Sequence, residues 1–429
     1  MENKKRVAVV GGLRTPFVKA GGDFKGLSSL ELGKIAAREL INRTEISPGE
    51  IEQVIFGTVI PTIKTSNLAR EIALGSGVPA SVPAFTVTSA CASSNQAFTS
   101  GVDSILSSQS DAVLTGGVES ISDFPVLFSK KFRDSFFASS KGNNIFQKTK
   151  PFLKMGVRDI APDVPAISER STGLTMGESA EKMAMIHQIS RDDQDRFAHR
   201  SHELSSQAAS EGVFDEEILH TFIPPDYTRV VTFDNTVRDG LELEALSALE
   251  PVFDTRYGTI TAGNSATLAD GGAVVLLMSE EKAKALGYKP MGYVRSYAYG
   301  AVDPGDELLM GTAYSTPRAL DRAGLTLKDI DLIEMHESFS AQVLSNLKAF
   351  SSKKFARDKL GRSETIGEVD MNKLNVSGGS IAMGHPFGAT GGRLIITLLH
   401  RMAKRSGNFG LVTLSAAGGI GVSIVFEKE

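Results

Sequence analysis

Cysteine is almost absent from this sequence, and its scarcity limits what the protein can be. Cys91 is the only cysteine among 429 residues. A single cysteine excludes an intramolecular disulfide framework and a cysteine-based zinc site, so nothing requires an oxidising compartment. The one thiol is then either a small buried hydrophobe, the commonest fate of a free cysteine, or a reactive nucleophile.

Long apolar runs and a strong charge imbalance are also missing. No apolar run approaches the ~20 residues that a membrane-spanning helix needs, and residues 7–10 are too short for a signal peptide. The formal net charge of −4 gives no reason to expect nucleic acid. With 41% hydrophobic and 22% charged residues, the composition is that of a soluble globular protein. We therefore expect a cytoplasmic protein of two or three domains.

Short strand-like segments alternate with amphipathic ones in the first part of the chain. The predicted helix at residues 28–43 opens with Ser28 and Ser29 before Glu31, which is a plausible cap. This alternation predicts an α/β fold with a largely parallel sheet. The other predicted elements are strands at 6–10, 54–57, 85–88 and 112–115 and a helix at 69–74.

The pattern returns later in the chain. Residues 320–333 echo residues 41–54, each giving a helix end, a Ser or Thr cap, a short acidic turn and a strand. Residues 411–419 likewise parallel residues 112–117, a strand that runs into small residues and glycines. Two copies indicate a pseudo-twofold pair of α/β units rather than a solenoid.

A different kind of segment separates the two copies. Residues 124–157 are rich in phenylalanine, lysine and arginine. They form either an excursion packed on its own aromatics with a solvated basic face, which we favour, or a docking surface for anionic lipid or a partner. A long helical pattern follows at 178–209 and breaks at 189–194, where Ser190 should cap, and strand character resumes at 258–261 and 273–278.

Cys91 lies where the strand at 85–88 gives way to small residues with helical potential, 92–105. A tight strand-to-helix turn leaves the N–H groups of the first helical turn free to face a side chain or an anion. A helix N-terminus lowers a cysteine pKa from its usual value of about 8.5. From these residues alone, the nucleophile and the buried hydrophobe remain equally open.

Two histidines and a glycine loop are the other candidates for chemistry. His385 lies among glycines in residues 375–393 and is either a base for the thiol or a turn histidine satisfied by backbone. His336 ends a predicted strand, where α/β folds place ligand contacts, and it does not begin an H-E-x-x-H zinc motif. The glycines of residues 414–421 suit an oxyanion-binding loop or simple tight packing.

In their order along the chain these motifs resemble the thiolase family, most closely the 3-ketoacyl-CoA thiolase β-subunit type of fatty-acid oxidation (trifunctional-type) complexes. The resemblance covers essentially the whole length. The His-Glu pair at 336–337, where other thiolases usually have Asn-Glu, indicates the oxidation-complex branch. The stretches that carry the resemblance are residues 89–93, 116–120, 171–178, 263–272, 336–339, 384–386 and 414–421.

The resemblance implies an α/β thiolase fold, in which two similar βαβαβαββ halves pack as a five-layer αβαβα core with an inserted loop domain. The N-terminal half would comprise residues 1–122 and 252–287. The loop domain, with acyl-CoA and partner contacts, would be residues 123–251, and the C-terminal half residues 288–429.

The activity that the resemblance implies is that of an acyl-CoA C-acyltransferase of lipid metabolism. Such transferases cleave 3-ketoacyl-CoA with CoA in fatty-acid β-oxidation, or run the reverse condensation. Coenzyme A and acyl-CoA would be substrates, with no bound cofactor and no metal. We also expect a homodimer or higher homo-oligomer. A hydratase–dehydrogenase α-subunit and a peripheral membrane contact through residues 124–158 are candidate partners, and nucleic acid is not.

The resemblance also implies residue roles. Cys91 would be the nucleophile that carries the acyl group as a thioester, and His385 the base that activates it. Backbone N–H groups at Cys91 and in the Gly418–Gly419 loop would form one oxyanion hole, and His336 with His385 the other, a kind of site that typically supplies ~3–4 kcal/mol per donor. The remaining implied positions are Glu337, which would orient its neighbours, Gly384 and Gly419, which keep side chains away from the thioester, and CoA contacts at Met176, Ser265 and Ala266.

One position departs from the family. Where thiolases have a second cysteine that exchanges protons with the leaving carbanion and the incoming thiol, this chain has Ser415. A serine hydroxyl is a far weaker acid than a thiol, and acid–base steps contribute typically ~10²–10⁴-fold. We expect Cys91 to be acylated but thiolysis to be slow, or the proton to pass through water or His336. A thiolase-fold condensing synthase and a degenerate acyl-CoA-binding subunit remain alternatives.

Overall fold

The computed structural model describes residues 5–163 and 168–428. The predicted domain limits at residues 1 and 429, and residues 164–167 of the predicted loop domain, lie outside this part. The chain divides into two compact units. The larger joins the chain up to Asp123 with the chain from Glu169 onward, and the smaller is Phe124–Ser168.

The elements are numbered in chain order across both units. The strands are β1 (Val7–Arg14), β2 (Val18–Lys19), β3 (Gln53–Gly57), β4 (Ala84–Val87), β5 (Ala112–Glu119), β6 (Leu127–Phe128), β7 (Pro162–Asp163), β8 (Thr221–Ile223), β9 (Arg229–Val231), β10 (Ala269–Ser279), β11 (Gly292–Ala301), β12 (Leu332–Met335), β13 (Phe409–Ala416) and β14 (Ile420–Glu427). The helices are α1 (Ser29–Thr44), α2 (Leu68–Gly75), α3 (Ser93–Leu106), α4 (Lys130–Ser140), α5 (Ile145–Thr149), α6 (Val157–Ile160), α7 (Met176–Ile186), α8 (Arg191–Ser210), α9 (Leu243–Ser247), α10 (Glu280–Ala285), α11 (Pro304–Glu307), α12 (Gly311–Ala323), α13 (Ser340–Phe350), α14 (Lys353–Leu360), α15 (Ser380–Met383) and α16 (Phe387–Lys404).

The larger unit is built on a mixed sheet in the order β12-β13-β14-β11-β1-β10-β5-β3-β4, with β2 paired to β10. Strand β3 runs parallel to β4 and β5, and β12 runs parallel to β13. The other neighbouring pairs are antiparallel. The prediction of a largely parallel sheet is therefore wrong, because β10 and β14 each enter beside a parallel strand in the reverse direction.

The predicted repeat is present in the strand order. The series β12-β13-β14-β11 repeats β3-β5-β10-β1, with the same parallel and antiparallel steps. A parallel bridge between Ile333 and Leu374 lies where β4 pairs with β3 in the first copy. The two copies meet where β1 pairs with β11.

Three apolar clusters place the helices in layers around this sheet. Helices α1 and α2 cover one side of the first copy, and Leu32 and Ile72 pack there. Helices α12 and α13 cover the far side of the second copy, with Ala313 and Val343 in the cluster. Helices α3 and α16 share the third cluster with strands of both copies, so they form a central helical layer and complete the predicted αβαβα order.

The N-terminal ends of α3 and α16 approach closely because small residues line the contact. A Cβ added at Gly391 would overlap the side chain of Asn95, and one added at Gly117 would overlap the carbonyl oxygen of Gly388. The N–H of Gly392 donates to Ser94 Oγ at 2.8 Å. The loops that precede these two helices therefore reach the same place.

Local signals placed several helices correctly. Ser28 and Glu31 form a capping box at the start of α1, and Ser190 caps α8 by accepting the N–H of Asp193. The predicted strand at 258–261 is wrong. The N–H groups of Thr259 and Ile260 donate to the Glu181 carboxylate instead of to a neighbouring strand.

The described part of the smaller unit contains α4, α5, α6, a 3₁₀ helix at Lys150–Lys154 and the short β6–β7 pair. Phe132 stacks on Phe128 with ring centroids 4.7 Å apart and meets Phe152 edge-on at 6.2 Å. Phe136, Phe137 and Phe146 are nevertheless 55%, 57% and 67% exposed. Only part of the aromatic set packs internally, so the favoured interpretation of this segment holds only in part.

Among the described residues, no helix combines the length and the apolar character that crossing a bilayer requires.

Candidate active site

Cys91 lies in a tight turn between β4 and α3, as the sequence predicts. Ala90 has a positive φ of 46°, which turns the chain sharply before the thiol. Ser93 fixes this turn, because its hydroxyl accepts the N–H of Ser89 at 2.8 Å and donates to the carbonyl of Ala90 at 2.6 Å. The turn holds Cys91 partly exposed, two residues before α3 begins.

His385 lies between α15 and α16 and faces Cys91. The backbone N–H of His385 donates to the carbonyl of Thr267 at 2.8 Å. The preceding Gly384 has a positive φ of 94°. The ring nitrogen Nε2 is 3.2 Å from Cys91 Sγ, and Nδ1 is 2.6 Å from the hydroxyl of Thr390 in the first turns of α16. The structure thus brings the two main candidates together across 294 residues of sequence.

His336 follows β12 and is fully buried beside His385, with ring centroids 4.2 Å apart. Its Nδ1 is 2.9 Å from Ser380 Oγ, and its Nε2 is 2.8 Å from Ser338 Oγ. Arg393 donates to Ser380 Oγ at 2.8 Å, and a guanidinium can only donate. If the Ser380 hydroxyl donates to Nδ1, the ring proton of His336 lies on Nε2, where Ser338 Oγ can accept it.

Burial keeps these three groups neutral. Desolvation, followed by the charge of Arg393, lowers the pKa of His385 to about 3. Desolvation and the neighbouring His385 and Arg393 hold the pKa of His336 well below its usual value. Burial raises the pKa of the Cys91 thiol to about 12, although two backbone N–H groups oppose it. The expected lowering of this pKa by the helix N-terminus is therefore wrong, because desolvation outweighs those N–H groups.

The two N–H groups that face the thiol belong to Cys91 and Ala417. The sequence singled out Gly418 and Gly419 in the same loop, but the Gly418 N–H donates to the carboxylate of Glu169 at 2.7 Å. The sequence did not indicate the N–H donor of Ala417, because a backbone donor does not depend on the type of side chain. Its only sequence signal is its place inside the glycine loop.

Ser415 is buried near the end of β13, and its hydroxyl is bonded to α12. It donates to Thr312 Oγ1 at 2.9 Å and accepts the N–H of Thr312 at 3.0 Å. The hydroxyl proton and one of the two lone pairs are thus occupied. The serine substitution is thus built into the packing between the sheet and α12.

Glu337 lies next to His336 but points into the loop that leads to His385. Its carboxylate accepts from Asn375 Nδ2 at 2.6 Å, Ser201 Oγ at 2.7 Å and the N–H of Ile381 at 3.2 Å. These contacts place Glu337 where it can fix residues 375–381 relative to the end of β12.

Of the positions expected to contact CoA, Ser265 and Ala266 lie against the segment that follows His336. The N–H of Ala266 donates to the carbonyl of Ser338 at 3.0 Å, and Ser265 pairs with Phe339 in an isolated bridge. Both residues are partly exposed. Met176, the first residue of α7, is also partly exposed and packs against the cluster under α12 and α13.

Glu119, at the end of β5, is a buried acid that the sequence did not single out. Its carboxylate accepts the N–H groups of Val59 and Ile60 at 2.9 and 3.0 Å and that of Gly388 at 3.1 Å. Burial raises its pKa to about 7 in spite of these bonds. It therefore ties the first copy to the start of α16. The only sequence signal was an acid inside an otherwise small and apolar stretch.

A thiol within hydrogen-bond reach of an imidazole that a third group orients is the arrangement of covalent catalysis by cysteine. The N–H groups of Cys91 and Ala417 add donors for an oxyanion, and His336 adds an imidazole N–H. Fold and site together define an α/β protein of paired halves with a cysteine–histidine–histidine centre.

Comparisons with known proteins identify the family. The family model "Thiolase, N-terminal domain" matches residues 7–281, and "Thiolase, C-terminal domain" matches residues 288–428. The chain belongs to the thiolase family. A 3-ketoacyl-CoA thiolase of Shewanella halifaxensis is 47% identical over 425 residues, covering 99% of this chain and 97% of that protein. One of Aliivibrio fischeri is 47% identical over 424 residues, covering 99% and 96%.

Solved structures agree with this assignment. An acetyl-CoA acetyltransferase of Bacillus anthracis superposes with a TM-score of 0.85 at 30% identity and covers 99% of each chain. Human mitochondrial 3-ketoacyl-CoA thiolase superposes with a TM-score of 0.83 at 30% identity, again over 99% of each chain. The thiolase fold predicted from the sequence is confirmed.

The raised pKa of Cys91 predicts an unusual pH dependence of alkylation. Below the pKa of about 12, the thiolate fraction grows tenfold with each pH unit. Alkylation by iodoacetamide should therefore still accelerate at about pH 10, where a thiol of ordinary pKa near 8.5 has levelled off. Peptide mass mapping follows alkylation at Cys91, because lysine amines also react at this pH. The unfolded chain in denaturant serves as the control, and a plateau near the ordinary pKa in the folded protein would contradict the prediction.

Proposed function

We propose that this protein is an acyl-CoA C-acyltransferase that cleaves 3-ketoacyl-CoA with CoA, or runs the reverse reaction, through an acyl thioester on Cys91. The observation that carries the proposal is the 3.2 Å separation of Cys91 Sγ and His385 Nε2 in a member of the thiolase family. Relatives that match over nearly the whole chain are named 3-ketoacyl-CoA thiolase.

In the acylation step, Cys91 Sγ attacks the carbonyl carbon of the substrate while His385 Nε2 accepts the thiol proton. The N–H groups of Cys91 and Ala417 then stabilise the oxyanion that forms. Because the resting thiol and imidazole are both neutral, proton transfer accompanies the attack instead of preceding it.

In the cleavage step, an acetyl-CoA enolate leaves the acyl carbon. The Nε2–H that His385 has just gained and the Nε2–H of His336, once it leaves Ser338 Oγ, would hold the enolate oxygen. Thr390 and Ser380 set the two rings by bonding their Nδ1 atoms. Glu337 acts as a positioning residue through the loop at 375–381.

The remaining steps need a proton for the enolate carbon and a base for the incoming CoA thiol. Ser415 is poorly suited to both, since its hydroxyl is engaged by Thr312 and is a weak acid. We therefore assign these transfers to His336 or to water and expect slow thiolysis after ready acylation.

Coenzyme A and acyl-CoA are proposed as substrates, with contacts at Met176, Ser265 and Ala266 and with no bound cofactor. Gly384 and Gly419 would leave room for the thioester. The division into halves and a loop domain at 123–251, a homo-oligomeric state, a hydratase–dehydrogenase partner, a role in fatty-acid β-oxidation and a cytoplasmic location all remain predictions.

Acylation and proton transfer can be tested separately. Incubation with acetyl-CoA should add one acetyl group to the protein, and the adduct should be absent from a Cys91→Ala variant. Ser415→Cys should raise steady-state thiolysis of 3-ketoacyl-CoA by roughly 10²–10⁴-fold because it restores an acid–base group. Ser415→Ala is the matched control and should give no gain. Absence of the adduct would overturn the proposal, and no gain from Ser415→Cys would overturn the account of the proton steps.

The engaged Ser415 hydroxyl also favours a second candidate, decarboxylating condensation. A malonyl thioester that loses CO₂ becomes an enolate without any base removing a proton from carbon. That enolate would attack the acyl carbon on Cys91, and the released Cys91 thiolate would take up one proton. The imidazole N–H groups at His336 and His385 would hold the enolate oxygen in this reaction as well.

The second candidate predicts a specific product. Acetylated protein mixed with malonyl-CoA should release CO₂ and form acetoacetyl-CoA, whereas the Cys91→Ala variant should form none. Chromatography of the CoA thioesters and measurement of released CO₂ report both products. If acetyl-CoA acylates Cys91 but malonyl-CoA is left intact, the condensing candidate is eliminated.

The smaller unit is the proposed place of peripheral membrane contact, through residues 124–158. It exposes Phe136, Phe137 and Phe146 together with basic side chains such as Lys130, a pairing that suits an anionic lipid surface.

Vesicle pelleting tests this contact. Replacing Lys130 and Lys131 together by Glu should weaken binding to anionic vesicles at least about tenfold, since each basic residue near such a surface contributes about 1 kcal/mol. Lys353 and Lys354, an exposed pair on α14, provide a matched double Glu control that should bind normally. Equal binding by both double variants, or no binding by the parent protein, would rule the contact out.

A further inference from the structure

Three atoms that commonly bind metals converge at the centre of the site. Cys91 Sγ and one ring nitrogen each of His336 and His385 all lie within 4.8 Å of one another. These residues are far apart in sequence, so no spacing motif announces them. The sequence excluded a cysteine-based zinc site from the cysteine count, but a site with one thiolate and two imidazoles needs only the cysteine that is present.

The distances suit a tetrahedral cation. Zinc binds sulfur at about 2.3 Å and imidazole nitrogen at about 2.0–2.1 Å, which separates neighbouring ligand atoms by roughly 3.4–3.6 Å. Cys91 Sγ and His385 Nε2 are already 3.2 Å apart. His336 needs a movement of roughly 1 Å at most, given the 4.8 Å limit on the whole group.

The surroundings of the two imidazoles are those of metal ligands. Histidines that bind metals almost always have the other ring nitrogen held by a hydrogen bond. Here Thr390 holds Nδ1 of His385, and Ser380 holds Nδ1 of His336. Arg393 in turn holds Ser380 and is paired with Glu334. Both rings are also kept neutral, which is the form that coordinates.

We propose that Cys91, His336 and His385 form a binding site for a thiophilic divalent cation such as Zn²⁺ in the substrate-free protein, and that the bound cation blocks acylation of Cys91. Three protein ligands leave the fourth position to water. Binding forms one metal–sulfur and two metal–nitrogen bonds, breaks the S–H bond of Cys91 and releases that proton to solvent, with no change of oxidation state. The ring proton of His336 then lies on Nδ1, where Ser380 Oγ accepts it. The cation would occupy the same three side chains that the proposed catalysis uses, so binding and acylation exclude each other.

One existing contact opposes the cation. The hydroxyl of Ser338 lies 2.8 Å from Nε2 of His336, the nitrogen that faces the site. Binding requires this hydroxyl to give up its partner. Removal of the hydroxyl should therefore tighten binding or leave it unchanged, whereas removal of the imidazole should weaken it.

The experiment uses protection of the sole cysteine. Protein freed of metal with a chelator is titrated with ZnCl₂, and alkylation of Cys91 by iodoacetamide is followed by intact mass. We expect Zn²⁺ to slow alkylation at least about tenfold, chelator to restore it, and Mg²⁺ to have no effect, since Mg²⁺ prefers oxygen ligands. The apparent affinity should rise about tenfold per pH unit around neutrality, because one thiol proton is displaced.

Variants assign the ligands. His336→Asn should need at least about tenfold more Zn²⁺ for the same protection of Cys91. His220→Asn, at an exposed histidine, should behave as the parent, and Ser338→Ala should bind at least as tightly. Co²⁺ should give a thiolate-to-metal absorption band in the parent protein. Cys91→Ala, which cannot be alkylated, should lack this band.

The outcomes that overturn the proposal are also clear. Protection that is absent, or equal in the parent and His336→Asn, excludes the three-ligand site. None of these measurements uses an acyl-CoA. A chain that binds Zn²⁺ but forms no acetyl adduct would therefore retain this site and lose the proposed function, and the reverse result would do the opposite.

Discussion

The close contact between the starts of α3 and α16 is the constraint on which the rest of the site depends. Neither copy of the α/β unit contains the centre alone, because Cys91 precedes α3 and His385 precedes α16. A side chain at Gly391 would force the two helices apart, and one at Gly117 would push both of them away from β5. The Glu119 carboxylate stabilises the contact by accepting the N–H of Gly388 at the start of α16. It also accepts the N–H of Val59 in the loop after β3. The 3.2 Å thiol–imidazole distance is thus a property of the packed layers as much as of the two residues.

That packing also sets the electrostatics. The site lies among packed strands and helices of both copies and is poorly solvated, so charge separation within it is costly. The thiol and both imidazoles therefore rest in their neutral forms. Arg393 is paired with Glu334 and reaches His336 only through the Ser380 hydroxyl. Such a centre develops charge only during reaction, where fixed N–H groups can receive it without reorganising.

Much of the fold and of the site could be predicted from the sequence. The predictions that failed concern features that no local pattern in the chain records. The turn at Cys91, the caps at Ser28 and Ser190 and the repeat follow from local patterns, and the motifs in order indicated the family. Strand directions did not follow, because β10 and β14 reverse only after long or glycine-rich connections. The pKa of Cys91 was misjudged because its neighbours in the chain do not show how far the surrounding layers desolvate the thiol. Ala417 and Glu119 act through backbone contacts across the molecule, which no single stretch reveals.

The engagement of Ser415 with Thr312 has a consequence for oxidative damage. A site with two cysteines can trap a sulfenic acid on one as a disulfide with the other, and that bond is readily reduced. In this chain no second thiol exists to resolve an oxidised Cys91. Recovery must come from a small thiol that enters the site from solvent, and the partly exposed Cys91 is within reach of such a molecule. The concentration of free thiol around the protein would then determine whether oxidation of Cys91 inactivates the protein reversibly or irreversibly.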